Sequence, residues 1–143
     1  MKKVLFVTSE AVPFIKTGGL ADVTGSLPKY FDKEKYDVRV MLPKYMCMKD
    51  EWKEKLQYHT HFYMDLNWRK QYVGVLEMEY DGIRFYFIDN EYYFNGYAPY
   101  GDMYADIEKF AFFSKAVLSA LPLIDFRPDI IHLSLIHISE PTR

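Results

Sequence analysis

Lys16-Thr17-Gly18-Gly19-Leu20-Ala21-Asp22 is the stretch on which the reading of this chain turns. It follows an apolar run, Val4-Leu5-Phe6-Val7, with the length and composition of a buried strand, and it opens a helical pattern that begins at Leu20. Strand, glycine turn and helix aim free backbone N–H groups and the positive end of a helix dipole at one point, where an anion is favoured. Two adjacent glycines keep Cβ atoms away from that point. Lys16 adds a mobile positive charge, and Asp22 a carboxylate in the first helical turn. These residues predict a phosphate-bearing ligand in front of the first helix. The pattern is neither G-x-G-x-x-G nor a P-loop. A plain helix start, with a tight glycine turn and a solvated lysine, accounts for the local chemistry equally well.

Outward from this stretch the chain reads as strand–helix–strand. Strand one is expected at Lys3–Thr8, a helix at Leu20–Phe31 and strand two at Asp37–Leu42, with Val38, Val40 and Leu42 alternating. That order predicts a right-handed crossover and parallel pairing. Pro28 sits late in the helix and is expected to kink or end it early. Pro43 closes strand two, and Lys44–Lys55 is polar with room for a short helix. The texture then changes. Leu56–Leu66 and Gln71–Tyr80 alternate loosely, Asn67 marks a turn between them, and Asp81-Gly82 is a two-residue hairpin signal before Ile83–Ile88. A β-meander inserted in a mostly parallel sheet is expected, with Ile83–Ile88 rejoining the main sheet. Asp89–Met103 is a long loop rich in aromatics, a feature of functional or poorly ordered segments. Asp106–Leu121 is a helix with Ile107, Phe110, Phe113, Val117 and Leu121 on one face and Pro122 as its stop. Asp129–Leu133 begins a further strand.

Composition bounds the function. The chain has 143 residues, the length of one domain, and half of them are hydrophobic. Lys and Arg number 18 against 20 Asp and Glu, so nothing in the charge favours nucleic acid or an anionic membrane. Met1-Lys2-Lys3 before Val4–Val7 imitates a signal peptide, but the apolar run is short and Ser9-Glu10 interrupts it. No stretch approaches a membrane span, and the reading is a cytoplasmic protein. Cys47 is the single cysteine, an apolar filler with no histidine partner evident nearby. His59 and His61, two apart, are expected on one strand face, without a third metal ligand. The 13 Tyr and 11 Phe suit stacking on sugar rings, though core and strand packing accounts for most of them.

Ser9-Glu10, Pro13, Lys16 through Val23, Gly25 and Leu27-Pro28 together resemble the N-terminus of bacterial glycogen synthase and plant starch synthase. Val40-Met41-Leu42-Pro43, Tyr100-Gly101-Asp102, Lys109 through Ser114 and Arg127-Pro128-Asp129-Ile130-Ile131-His132 follow in the family's order and spacing. The resemblance covers residues 1 to 132. It implies an α/β fold, the Rossmann-like N-terminal domain of a two-domain GT-B glycosyltransferase. It also implies retaining transfer of glucose from ADP-glucose, or UDP-glucose in some relatives, to the non-reducing end of an α-1,4-glucan such as glycogen. No cofactor is implied. By the same resemblance Lys16 contacts the donor phosphate and the Gly18-Gly19 amides line that spot. Glu10 and Asp22 sit near the transferred sugar, and Tyr100 lies near the cleft. Read without the family, Asp22 is a helix N-terminal charge and Glu10 a solvated loop residue.

The family continues after Ile131-His132 with a segment carrying an active-site aspartate. This chain reads Leu133-Ser134-Leu135-Ile136-His137-Ile138-Ser139-Glu140-Pro141-Thr142-Arg143 instead. That stretch resembles a translated sequencing adapter, so residues 133–143 are expected to be foreign and 1–132 a truncated N-terminal catalytic domain. The C-terminal domain, which in the family supplies most nucleotide contacts, is then needed for activity, and the catalytic residues beyond the truncation are unknown. Two other readings stay open: a non-catalytic carbohydrate-binding module using the Tyr92–Tyr100 loop, and a related sugar transferase with another donor.

Overall fold

The structure, a computed structural model, describes residues 1–16, 19–66, 69–96, 101 and 103–134. Among the described residues, six strands form one sheet: β1 (Lys2–Thr8), β2 (Tyr36–Pro43), β3 (Gln57–Leu66), β4 (Arg69–Tyr80), β5 (Ile83–Asp89) and β6 (Ile130–Ser134). Three helices join them: α1 (Gly19–Ser26), the one-turn α2 (Asp50–Lys53) and α3 (Met103–Ala120). The sheet order is β3-β4-β5-β2-β1-β6. β6, β1, β2 and β5 are parallel, while β4 runs antiparallel to β5 and β3 antiparallel to β4. This is the expected parallel sheet with a meander grafted on, and Ile83–Asp89 rejoins the main sheet against β2.

The central strands are apolar on both faces because both are covered. On one face Leu5, Val7, Met41, Val73, Val75 and Ile88 pack under α3 through Phe110, Phe113, Ala116 and Val117. On the other, Val4, Phe6, Val40, Leu42, Phe85 and Phe87 pack beneath Ala11, Phe14 and Met48. Period-2 alternation sorts the two sets, as a strand requires.

Local chemistry moves several boundaries. α1 stops at Ser26 and passes into a 3₁₀ turn over Leu27–Tyr30, short of the expected Phe31. Pro28 has no N–H to give the Thr24 carbonyl and its ring crowds that carbonyl, so the α pattern cannot continue. Asp81 and Gly82 both take positive φ, 53° and 76°, as the tight I′ hairpin turn demands. In α3, Ile107 is 44% exposed although the apolar spacing put it on the inner face, and Phe112 is fully buried instead. The loop after β5 explains the rotation: Tyr93 stacks on Phe112 at 4.6 Å and Phe94 lies 5.9 Å from the same ring. Tyr93 and Phe94 are thus core residues, and Tyr92 is exposed.

His59 and His61 do not share a face. The β3–β4 register slips between Tyr58 and Thr60. His59 Nδ1 lies 2.7 Å from Glu77 Oε2 on the α3 side of the sheet, whereas His61 stacks on Tyr72 on the opposite side. A bulge inserts one residue and so reverses the facing of all that precedes it. Among the described residues no cluster of three His, Cys, Asp or Glu could hold a metal ion, and no helix is long and apolar enough to cross a membrane. β6 continues through Leu133 and Ser134, opposite Val7 and Thr8. Asn67 and residues 135–143 lie outside the described residues.

Candidate functional site

The C-terminal ends of β1, β2, β5 and β6 lie along one edge of the sheet, where an open α/β sheet holds its ligand. The loop from Ser9 to Lys16 leaves β1 there and delivers the chain to α1. It is fastened at four points. Ala11 and Ile15 exchange backbone hydrogen bonds of 3.1 and 3.0 Å. The Val12 N–H donates to the Ala21 carbonyl at 3.0 Å, joining loop to helix. The Glu10 carbonyl accepts from the Thr8 hydroxyl at 2.7 Å and the Thr24 hydroxyl at 2.5 Å. The Tyr45 hydroxyl donates to the Ser9 carbonyl at 2.7 Å, which ties the loop to the segment after β2.

Phe14 anchors the loop from below. Its ring sits 4.8 to 5.6 Å from those of Phe85, Trp52, Phe87 and Tyr80, in edge-on contacts that suit aromatic quadrupoles. Gly25 lets the helix close on the loop, since a Cβ there would lie 2.4 Å from Val12 Cγ2 and 2.7 Å from the Val12 carbonyl oxygen. The loop is therefore rigid where it carries Lys16, although it has little regular structure.

Lys16 Nζ lies 2.9 Å from Asp22 Oδ2 and 3.0 Å from Oδ1. Both side chains are about half exposed, 52% and 54%. An exposed pair of this kind contributes about 0–1 kcal/mol, so the lysine can be drawn away from Asp22 at little cost. Gly19 is the first residue of α1, and a Cβ built on it meets nothing within 4 Å. Among the described residues, the space at Gly19 is thus open.

The structure brings Lys16 and Asp22 together, and Gly19 opens the helix that carries Asp22. Glu10 is different. It is fully buried, which excludes the solvated-loop reading. No buried side-chain nitrogen or oxygen among the described residues lacks a hydrogen-bond partner, its carboxyl included. Gly18 and Tyr100 lie outside the described residues. The loop holders Thr24 and Tyr45 were not foreseen. A threonine in a helix and a tyrosine after a strand carry no local signal of the carbonyls they reach.

The starch synthase catalytic domain family matches residues 3–134 of this sequence. The chain belongs to that family. Glycogen synthase of Lachnoclostridium phytofermentans is 70% identical over 132 residues, which are 92% of this chain and 28% of that protein. Glycogen synthase of Clostridium botulinum strain Alaska E43 is 53% identical over 130 residues, 91% of this chain and 27% of that one. Among solved structures, the catalytic domain of starch synthase IV from Arabidopsis thaliana, bound to ADP and acarbose, matches with a TM-score of 0.75 at 26% identity. It covers 92% of this chain and 27% of its own. This member of the starch synthase family therefore spans 27–28% of the length of these relatives. The Lys16 loop leaves the parallel half of its sheet.

Proposed function

We propose that this chain is the donor-phosphate half of a glucan synthase site. The complete polypeptide would transfer glucose from ADP-glucose to the non-reducing end of an α-1,4-glucan, with retention, in the cytoplasm. The observation that carries the reading is Lys16 Nζ at 2.9 Å from Asp22, at the open start of α1, on the C-terminal edge of a parallel sheet. Family membership supports it, as does the ADP and acarbose held by the Arabidopsis relative.

The chemistry follows from the groups. Breaking the sugar–phosphate bond places negative charge on the departing nucleotide diphosphate. A lysine and preorganised backbone N–H groups at a helix start stabilise charge that develops there. The sugar centre becomes cation-like, and Asp22, freed from Lys16 when phosphate binds, supplies a nearby carboxylate. Glu10 would stand near the transferred sugar, its backbone carbonyl held by the Thr8 and Thr24 hydroxyls. Gly18 would add its amide, and Tyr100 would stand at the cleft.

Lys16→Ala in the complete polypeptide tests this. Charged hydrogen bonds are worth about 1.5–3 kcal/mol, so ADP-glucose affinity or kcat/KM is expected to fall by about 10- to 100-fold. Unchanged turnover and donor affinity would refute the role. The 143-residue chain alone is expected to incorporate no labelled glucose into glycogen, and incorporation above a no-protein blank would overturn that. The same proposal holds residues 133–143 to be foreign. Independently amplified genomic DNA is expected to diverge after His132, and recovery of the same codons refutes it.

A further inference from the structure

On the sheet face opposite Val73 and Val75, β3 and β4 present rings to solvent. Tyr58, Tyr63 and Tyr72 are 57%, 59% and 40% exposed. They are not scattered. His61 stacks on Tyr72 with centroids 5.7 Å apart and planes 24° apart, Tyr63 meets Tyr72 edge-on at 5.7 Å, and Tyr58 meets His61 at 5.9 Å. Gly74 sets this arrangement. It faces His61 in the ladder, and a Cβ there would lie 2.9 Å from the Tyr72 hydroxyl, 3.1 Å from its ring and 3.2 Å from Asp89 Cβ. The missing side chain lets the Tyr72 ring lie down along β4 and show its face.

The row runs into a cavity of about 530 Å³ lined by Gln71, Tyr72, Asp89, Asn90, Glu91 and Tyr92. That volume lies within the range of small-molecule sites. The lining holds two carboxylates, two amides and two phenols, and neither Lys nor Arg. Burial and the neighbouring Glu91 push the Asp89 carboxyl above its ordinary range, against the pull of Lys44. Lys44 pairs with Asp89 at 3.9 Å and Arg69 lies 5.3 Å from the Tyr92 ring, so the nearby cations are already engaged and the lining itself offers an anion no Lys or Arg. A neutral ligand with many hydroxyls and apolar C–H faces fits both halves, the hydroxyls on the carboxylates and amides and the C–H faces on the rings. Several rings in a row suit a chain of such units rather than one.

We infer that the Tyr58–Tyr63–Tyr72 row and its adjoining cavity form a binding track for a linear α-glucan, separate from the Lys16 loop. The identity of the glucan rests on the acceptor of the proposed function. β4 stands three strands from β1 and its Gly74 pairs with Asp89 at the C-terminal end of β5. At strand spacing that is about 14 Å along the same sheet edge, close enough to lead an acceptor chain toward the donor loop.

The test is an amide-resolved NMR titration of the 143-residue chain with maltoheptaose, and in separate arms with cellohexaose and ADP-glucose. Maltoheptaose is expected to shift the amides of His61–Tyr63 and Gln71–Gly74. Tyr63→Ala and Tyr72→Ala are each expected to weaken it by about tenfold. Tyr63 is exposed, so its removal leaves the fold intact, and the unsubstituted chain supplies the map regardless. Absent shifts on β3 and β4, an equal response to cellohexaose, or unchanged affinity in Tyr63→Ala would overturn the inference. So would shifts that follow protein concentration instead of sugar, the mark of a second copy occupying the face. Loss of the ADP-glucose response near Lys16 with the maltoheptaose response kept would discard the donor reading alone.

Discussion

Gly25→Ala sets two levels of physics against each other. Gly25 is the penultimate residue of α1, where alanine is the better helix former by about 1 kcal/mol. Helix propensity alone therefore predicts stabilisation. The tertiary structure predicts the reverse. The new Cβ would stand 2.4 Å from Val12 Cγ2 and 2.7 Å from the Val12 carbonyl oxygen. The methyl can swing aside, but the carbonyl belongs to a loop pinned by the Ala11–Ile15 pair and by the Val12-to-Ala21 hydrogen bond. Overpacking of this kind costs about 1–3 kcal/mol, and offset by the propensity gain it leaves a net loss of about 0–2 kcal/mol. Gly19→Ala is the control in the same helix, since its Cβ meets nothing. Urea unfolding of the 143-residue chain, followed by circular dichroism, reads both. With a slope of about 1–3 kcal/mol per molar, Gly25→Ala is expected to lower the midpoint by up to about 1 M. Gly19→Ala is expected to hold it or raise it. A Gly25→Ala midpoint equal to or above that of Gly19→Ala would show that the helix does not bear on the loop as described.

Other outcomes are expected from the same structure. Lys16→Ala should change the unfolding free energy by less than about 1 kcal/mol, because the Lys16–Asp22 pair is half exposed; a larger loss in denaturant titration would make the lysine a structural residue. Asp89 has its carboxyl raised by burial, so the folded state holds its proton more tightly than the unfolded chain does. Stability from this group is present below the ordinary aspartate pKa and is lost as pH rises through the raised value. Asp89→Asn should therefore raise the melting temperature near pH 7, with a gain that vanishes below about pH 3.8, and a gain independent of pH would contradict the assignment. Burial also pushes the half-buried Cys47 thiol up, and alkylation of the native chain near pH 8 should be slower than that of the urea-unfolded chain; equal rates would deny the burial.

Much of the architecture was legible in the residues because it is written at short range. The apolar run Val4–Val7 and the alternation in Val38–Leu42 reported strands, Asp81-Gly82 reported the hairpin turn into Ile83–Ile88, and Pro28 and Pro122 reported helix ends. The pairing of Lys16 with Asp22 was equally local, since Asp22 lies in the first turn of α1 and Lys16 only six residues before it. What failed were inferences that spread a period across an unseen neighbour. Ile107 left the inner face because Tyr93 and Phe94 claimed Phe112, and His59 parted from His61 because one bulged residue reversed the facing.

The amino-acid order by itself determined the strand–turn–helix motif, the parallel sheet with its meander and the family. Each depends on neighbours within a few residues or on motifs in a row. Only the tertiary structure decided that Glu10 is buried, that Gly25 must be bare for α1 to close on Val12, and that Tyr63 and Tyr72 stand together over Gly74. Those facts arise from contacts between segments far apart in the chain, where packing volume and hydrogen-bond satisfaction set the outcome and local preference has no say.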